Sequence, residues 1–561
     1  MPLHLLRLAS LLLLVQAPGP GSAAGGAGPA AGAPRFEVSF SPAAHAGPIT
    51  GRLVLLLSKV EKPEPRLLVN PRGPAMYGVD LAALAPGKSV VVDNGALGAP
   101  VSLAELPEGD YFAQAVIDVY TQVHRADGRT TWVHLNDGTV EFFSIAAGNL
   151  YSDVVPVHVG TGGVVRLALT HVIAAEPKPS DTEWLKHVTL QSQLLTKFWG
   201  HPVYIHAHVL LPRGYAQHPD VYYPSVYTLG HGSAPLSFTT TPPEAGRPTG
   251  VSPVTGLENG YETYRKWSAD GFPRVICITL EQATPYFPDS YAVNSANNGP
   301  YGDAFVQEVV PYLESHFRII PRPYARQLEG ASTSGWQTLA LQLQHPDFFG
   351  GAWVFQPDPI DFTRYQLTDI YADSNAFSAP NGQLLTAERC FQRTTEGQCL
   401  ISTRQLSRFE AVLGSHGRSG YQLEAWEAVY GPVGADGYPV PLWDKLSGRI
   451  DHEVARYMRD HGYDLLAYTR QNWPALGPKL VGKLHFSAGD MDDYWLNLGV
   501  YRFQDFLKST TSPHYEGEFV YGRPMKGHAW HAQTWADFIR HVGEAVAAAA
   551  PAGENTAAWH Y

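Results

Sequence analysis

Hydrophobic residues alternate with polar ones in the first third of the chain, whereas helical spacing appears only later. Residues 36–40 follow period two, and β-rich or apolar runs recur at 53–57, 111–120 and 165–169. Strands that are separated by turn residues and lack a helical period are typical of a β-sandwich. The pattern therefore predicts an immunoglobulin-like β-sandwich domain over residues 35–180.

From about residue 184 the pattern changes, because strands now alternate with helices. Apolar residues repeat every three or four positions in 303–317 and in 535–549, which predicts two helices. Strands are predicted at 188–195, 204–211, 222–229, 275–280, 351–355 and 483–487, with a further helix at 336–344. This alternation predicts an α/β domain over 184–545 with an insertion at about 365–475, followed by a C-terminal tail at 546–561.

The first residues have the features of a targeting segment. An apolar run at 8–15 follows a short basic start, and small residues at 22–24 suit a signal peptidase. We expect a signal peptide over residues 1–24 and a flexible leader over 25–34, so the protein would be secreted or periplasmic. An uncleaved anchor is the alternative. No later run is long enough to span a bilayer, so the mature chain is expected to be soluble.

Composition narrows the possible partners. The chain has 561 residues and a formal net charge of −12, and it has no Lys/Arg run, which argues against a nucleic-acid partner. Of the three cysteines, Cys277 lies in an apolar strand and is expected to be an inert core thiol. Cys390 and Cys399 flank a polar turn and could form a disulfide after export. No zinc spacing is present, and no metal or other cofactor is predicted.

The stretch from Leu328 to Trp336 predicts a nucleophile. A serine lifted out of a sheet by a sharp strand-to-helix turn needs small neighbours two residues to either side. Gly330 and Ser334 are those neighbours of Ser332. The alternatives are an ordinary capped turn or Ser334 as the nucleophile.

A nucleophilic serine needs a histidine base and a carboxylate that orients it. His528 lies in a loop between the predicted strand 518–521 and the last helix, with His531 as the fallback. The order of serine, acid and histidine along the chain is that of α/β-hydrolases. The candidate acids follow two strands and are Asp490, Asp492, Asp493, Asp358 and Asp361.

The oxyanion hole is predicted from backbone N–H groups. The strand 222–229 runs into Gly230-His231-Gly232-Ser233, so Gly232 and Ser233 could turn an N–H towards a developing oxyanion. Thr333 would supply the second donor. His231 is expected to be structural.

These pieces together resemble the putative esterase family of α/β-hydrolases, which includes esterase D, feruloyl-type carbohydrate esterases and enterochelin esterase. The resemblance covers roughly 184–545. It is carried by the strand ending in His231-Gly232, by Gly330-Ala-Ser332-Thr-Ser334-Gly335, by Gly489-Asp-Met-Asp492-Asp-Tyr494 and by Gly527-His528-Ala-Trp530. Ser334 departs from the usual glycine, and we expect slight crowding there.

The resemblance implies an α/β-hydrolase sheet and a serine esterase that works through an acyl-enzyme. It favours Asp492 over Asp490 as the acid, because Asp492 follows Gly489 by three residues. The predicted substrate-binding residues are aromatic: Trp336, Tyr494, Trp495 and Trp530. Aromatic walls suit sugar rings, aryl esters and apolar acyl groups equally well, so the substrate would be a small-molecule or carbohydrate-linked ester.

Two further hypotheses follow from the same stretches. A hydrolase-fold binding protein that has lost catalysis is the alternative to an esterase. The 365–475 segment, placed between the nucleophile helix and the acid strand, is expected to form a lid or wall over the site and to be pinned by a Cys390–Cys399 disulfide.

Overall fold

The computed structural model describes residues 34–139, 142–160, 162–230, 235–244, 250–380 and 386–561. The predicted signal peptide and the predicted leader up to residue 33 lie outside these ranges. Within the described ranges, no helix combines the length and the hydrophobicity that a membrane crossing requires.

The first part of the described chain consists of strands, as its period-two pattern predicts. These strands are β1 Arg35–Phe40, β2 Ile49–Ser58, β3 Ala75–Leu84, β4 Ser89–Val92, β5 Leu97–Ala99, β6 Gly109–Val119, β7 Thr121–His124, β8 Thr130–Val133, β9 Leu150–Ser152, β10 Val155–Val159 and β11 Val164–Val172. A 9-stranded sheet has the order β4-β1-β11-β9-β6-β2-β3-β5 with β10 paired to β6, and β7 pairs with β8. The β-rich character is confirmed, whereas the immunoglobulin-like sandwich and its boundaries at 35 and 180 stay predictions.

A second sheet carries the site. Its strands are β12 Leu185–Ser192, β13 Val203–Leu210, β14 Ser225–Thr228, β15 Ile276–Glu281, β18 Arg326–Ser332, β19 Gly351–Pro357, β24 Leu484–Gly489 and β25 Glu518–Gly522. They lie in the order β12-β13-β15-β14-β18-β19-β24-β25. From β15 to β25 each strand runs parallel to its neighbour, and β13 is antiparallel to both of its neighbours. The carboxyl ends of the parallel strands therefore meet at one edge, where α/β sheets bind ligands.

Helices follow β12 along the chain. They are α1 Gln193–Trp199, α2 Gly260–Trp267, α3 Tyr301–Ala304, α4 Val310–His316, α5 Thr333–Gln344, α6 Thr403–Leu413, α7 Gln422–Tyr430, α8 His452–Asp460, α9 Leu465–Leu480, α10 Asn497–Ser509 and α11 Trp535–Ala549. The helix predicted at 303–317 is present, with a π-helical turn at Phe305–Val309 between α3 and α4. The strand predicted at 188–195 lies three residues earlier, at Leu185–Ser192. It ends there because Ser192 caps α1 by accepting a hydrogen bond from the Leu195 N–H.

The segment 365–475 is more helical than the loop-rich insertion that we expected. It contains α6 to α9 and two short hairpins, β20 Ser378–Pro380 with β21 Thr386–Glu388 and β22 Cys390–Arg393 with β23 Cys399–Ser402. Local caps explain the helices: Ser402 and Gln405 form a capping box on α6, and Asp464 caps α9. The predicted Cys390–Cys399 disulfide is present and joins β22 to β23.

The N-terminal sheet and the 365–475 segment share a core. Val54, Leu56 and Val116 of the sheet belong to the same buried cluster as Phe409 and Val412 of α6. The buried side chain of Arg52 donates to the carbonyl of Val412 at 2.8 and 3.1 Å. The β-rich part therefore packs directly against the insertion.

Cys277 and the end of the chain are buried in the second sheet. Cys277 has no exposed surface, and burial raises the pKa of its thiol well above the ordinary value, which is the inert core thiol that was predicted. The predicted tail packs against the same region, because Trp559 is buried and the Tyr561 hydroxyl hydrogen-bonds that of Tyr223 at 2.8 Å.

Candidate active site

Ser332 stands at the sharp turn between β18 and α5. It is the last residue of the strand, and the helix begins at Thr333. Its φ of 59° and ψ of −121° lie outside the regions that a residue with a side chain normally adopts. Such strain persists where the surrounding structure imposes it, most often at functional sites.

Two glycines, Gly330 in this turn and Gly230 after β14, make room for Ser334 rather than for Ser332. A Cβ on Gly330 would lie 2.3 Å from the Ser334 Cβ, and a Cβ on Gly230 would lie 2.2 Å from the Ser334 Oγ. Ser334 therefore fills the space between the ends of β14 and β18. Its hydroxyl lies against Gly230, and both Ser332 and Ser334 are partly buried.

His528 and Asp492 form a direct pair. His528 Nδ1 lies 2.7 Å from Asp492 Oδ2, and the carboxylate of Asp492 is fully buried. The other oxygen of Asp492 accepts the backbone N–H groups of Tyr494 and Leu496 at 2.9 and 3.1 Å. The carboxylate is thus held by its own loop, and its free direction faces the imidazole.

The neighbouring aspartates hold the backbone of the histidine loop, residues 525–531. Asp490 Oδ1 accepts the Lys526 N–H at 3.0 Å, and Asp493 Oδ1 accepts the His528 N–H at 3.3 Å. All three carboxylates of the acid loop, residues 489–496, therefore contact the histidine loop. Only Asp492 reaches the ring of His528.

The environment of His528 favours its charged form. Burial alone would lower the pKa of the imidazole, but the charge and the hydrogen bond of Asp492, with smaller contributions from Asp493 and Asp358, raise it above the ordinary value of 6.5. Burial lowers the pKa of His531 to about 4. His531 therefore stays neutral, and its ring nitrogen Nδ1 lies 3.1 Å from the Ala529 carbonyl with no carboxylate bonded to it among the described residues, which makes it a poor substitute for His528.

Asp358 is a second buried carboxyl group, and it lies beside Ser332. Its Oδ1 accepts the Ser332 hydroxyl at 3.3 Å. Its Oδ2 accepts four side-chain donors, those of Tyr291, Thr333, Gln422 and Trp426, at 2.6, 3.2, 3.1 and 3.1 Å. Burial raises the pKa of Asp358 despite these donors. The structure thus brings Asp358, a rival acid in the sequence, to Ser332 rather than to the ring of His528.

Sequence reasoning missed the donors around Asp358. Gln422 and Trp426 come from α7, more than 60 residues beyond Asp358, and no local pattern relates them. The only sequence signal was an aspartate directly after the strand that neighbours β18. The other rival, Asp361, forms an ion pair with Arg502 and caps a short turn at Thr363.

The predicted aromatic residues occupy different positions. Trp336 has no exposed surface and packs against Tyr430, with ring centroids 4.9 Å apart, which argues against its predicted contact with substrate. Tyr494 is partly buried, and its ring meets that of His528 edge-on at 4.9 Å. Trp495 and Trp530 are also partly buried in the acid and histidine loops.

The predicted oxyanion donors are only partly within the described residues. Thr333 is the first residue of α5, a position whose N–H has no partner inside the helix. His231, Gly232 and Ser233 lie outside the described residues, so their N–H groups stay a prediction.

Residues 203–398 match the family described as "Putative esterase". The matched segment contains β13, β14, β15, β18 and β19, the short pair β16 Asn294–Ser295 with β17 Gly299–Pro300, and the turn at Ser332. The predicted resemblance is confirmed over this segment, and the sheet has the α/β-hydrolase fold.

Solved structures with some likeness include a ferulic acid esterase, with 14% identity, a TM-score of 0.32 and coverage of 64% of this chain and 99% of that chain. Another is FphF, a fluorophosphonate-binding serine hydrolase of Staphylococcus aureus, with 14% identity, a TM-score of 0.31 and coverage of 64% and 98%. The ferulic acid esterase AmCE1/Fae1A of Anaeromyces mucronatus has 14% identity, a TM-score of 0.27 and coverage of 65% and 92%. Likenesses at this level do not indicate the substrate of this chain. Among curated proteins, none matches it.

Proposed function

We propose that this protein is an exported serine esterase in which Ser332 is the nucleophile, His528 the general base and Asp492 the acid. The observation that carries the proposal is the 2.7 Å contact between His528 and Asp492, at the same sheet edge as the strained turn of Ser332. A nucleophile, a base and an orienting carboxylate in this order define acyl transfer by a serine hydrolase.

The reaction follows from the roles of these groups. Ser332 Oγ attacks the ester carbonyl while His528 Nε2 accepts the hydroxyl proton, and Asp492 stabilises the imidazolium. The Thr333 N–H, with a donor from residues 232–233, stabilises the oxyanion. His528 then gives the proton to the leaving alcohol, and water releases the acid by the same steps. Because the Ser332 hydroxyl donates to Asp358 in this structure, it must rotate towards His528 before attack.

The substrate is proposed to be an ester with an aromatic, apolar or carbohydrate group. Tyr494 lies against His528, and Trp530 follows it two residues later in the same loop. Rings of this kind pack well against aryl, acyl and sugar surfaces. Export is supported by the disulfide between Cys390 and Cys399, since such bonds persist in oxidising compartments.

Covalent labelling tests the proposal. A fluorophosphonate should label the wild-type protein once, and Ser332→Ala should abolish both labelling and hydrolysis of aryl esters. Ser334→Ala is the matched control and should still be labelled. Labelling that survives Ser332→Ala but is lost in Ser334→Ala would move the nucleophile to Ser334. A folded wild-type protein that takes no label would instead indicate a catalytically silent binding protein.

A further inference from the structure

The disulfide-closed hairpin, residues 390–402, packs against the acid loop. Its strand β22 ends at Arg393, which pairs in register with Cys399 of β23. The Arg393 N–H donates to the carbonyl of Asp493 at 2.8 Å. Gln392 donates to the Tyr494 hydroxyl at 3.1 Å. The hairpin therefore touches the acid loop beside the candidate acid.

Arg393 makes the most extensive of these contacts. Its side chain is buried and donates from Nε to the carbonyl of Asp492 at 3.0 Å. Its guanidinium lies over the ring of Trp495, 3.5 Å from the centroid, where a cation is attracted by the ring. The same carbonyl of Asp492 accepts the Trp495 N–H at 3.2 Å. One arginine thus fixes two residues of the acid loop at the position of the candidate acid.

Trp495 adopts a conformation that needs such support. Its φ of 66° lies in the left-handed region, which is costly for a residue with a side chain and persists only when its surroundings hold it. Trp495 is followed by Leu496, whose N–H is one of the two backbone donors to Asp492 Oδ1. A shift of Trp495 would therefore move a donor that orients the carboxylate.

We propose that Arg393 is a positioning residue for Asp492, and that the Cys390–Cys399 disulfide keeps Arg393 in place. This inference rests on the proposed function, since it assigns a role towards the proposed acid. The disulfide joins the strand that carries Arg393 to its partner strand, which limits separation of the hairpin. The hairpin thereby supports the acid–histidine pair. The position from which Asp492 contacts His528 depends on the hairpin as well as on the acid loop itself.

The test uses Arg393→Met in the full chain. The rate of ester hydrolysis is divided by the number of active sites, which is counted by complete labelling with a fluorophosphonate. We expect kcat to fall roughly 10- to 100-fold while KM stays within twofold, because a small displacement of an orienting group costs rate and not binding. Arg404→Met is the matched control. Arg404 is an exposed arginine of α6 that pairs with Glu388 at 3.0 Å and does not touch the acid loop, so its kcat should match that of the wild type.

The disulfide is tested by Cys390→Ser/Cys399→Ser, alone and combined with Arg393→Met. The double variant should lower kcat in the same direction, and adding Arg393→Met should cause little further loss, because both changes remove the same support. Losses that multiply would overturn the link between disulfide and arginine. A wild-type kcat in folded Arg393→Met, or a loss that only follows the unfolded fraction, would overturn the positioning role.

Failure of the proposed function has a different signature. If Ser332→Ala retained hydrolysis, the proposed function would be wrong whatever Arg393→Met did. If Ser332→Ala is inactive and Arg393→Met is fully active, only the present inference fails.

Discussion

The two halves of the candidate site are held in place by different kinds of interaction. The nucleophile turn, residues 330–335, is placed by its own backbone: Ser332 has a strained conformation between a strand and a helix, and Gly330 admits Ser334 at close range. The acid and histidine loops are placed by side chains that cross between them, because Asp490, Asp492 and Asp493 all bind the histidine loop.

This difference predicts different consequences of mutation. A turn that depends on close backbone packing tolerates no added volume. A substitution there should therefore lower the free energy of unfolding and kcat together. A pair of loops joined by several carboxylates can lose one contact and keep its fold. A substitution in these loops should therefore lower mainly kcat. Three predictions test this comparison.

The largest effect is expected from Asp492→Asn. The neutral amide has no charge with which to stabilise the imidazolium. Its NH2 group can also donate to Nδ1 and so stabilise the wrong tautomer of His528, and kcat should therefore fall about 10⁴-fold. The backbone N–H groups of Tyr494 and Leu496 retain an oxygen acceptor, so the thermal unfolding midpoint should change little. Steady-state hydrolysis and calorimetry measure the two quantities.

Asp490→Asn is the matched control, since it removes a charge from the same loop without touching the ring of His528. Its loss of kcat should be much smaller. If Asp490→Asn proved the more damaging change with the fold intact, the acid would be Asp490. If neither change mattered, Asp358 would become the candidate acid.

A smaller but broader effect is expected from Gly330→Ala. The new methyl group would overlap the Cβ and the backbone carbonyl carbon of Ser334, which lie 2.3 and 2.4 Å from its position. The turn must move, so we expect a loss of about 1–3 kcal/mol in the free energy of unfolding and of about 100-fold in kcat. Denaturant unfolding and hydrolysis provide the measurements. Gly47→Ala is the control, because Gly47 lies outside the left-handed region and the nearest atom to an added Cβ would be 3.9 Å away. Unchanged activity would show that the turn does not depend on this glycine.

The smallest effect is the pH dependence of the wild type. The base acts only as neutral imidazole, and Asp492, Asp493 and Asp358 raise its pKa above 6.5 against the effect of burial. The acidic limb of kcat/KM should therefore lie above pH 6.5, with a loss of about tenfold per pH unit below it. Asp492→Asn removes the largest raising cause, so its residual activity should have a limb at lower pH. A rate that stays constant down to pH 5.5 in folded protein would contradict the assignment of His528.

Local patterns correctly predicted helices and strands whose own residues show a regular apolar repeat. The terminal helix is α11 with the predicted bounds at Trp535 and Ala549, because its apolar face repeats regularly. The helices of 365–475 were missed. Pro474 and Pro478 lie inside α9, where proline is usually read as a helix end, and the aromatic residues obscure the helical period. The capping box at Ser402 and Gln405 was a signal that could have located α6.

The same division applies to the site. Ser332, His528 and Asp492 lie in short motifs that can be identified from the local sequence. The structure brings His528 and Asp492 together. Arg393 and the donors to Asp358 belong to segments far along the chain, and their contacts depend on packing that no local pattern encodes. Trp336 shows the converse: an aromatic residue near a nucleophile motif is a core residue here.

The core shared by the N-terminal sheet and the insertion limits how the chain can be shortened. A protein beginning near residue 184 would lack Val54, Leu56 and Val116 and would leave the apolar face of α6 open to water. Exposed apolar surface of this kind promotes aggregation. Removal of the β-rich part would also leave the Val412 carbonyl without the guanidinium of Arg52. For production of this protein in a heterologous host, the two parts should therefore be expressed as one polypeptide.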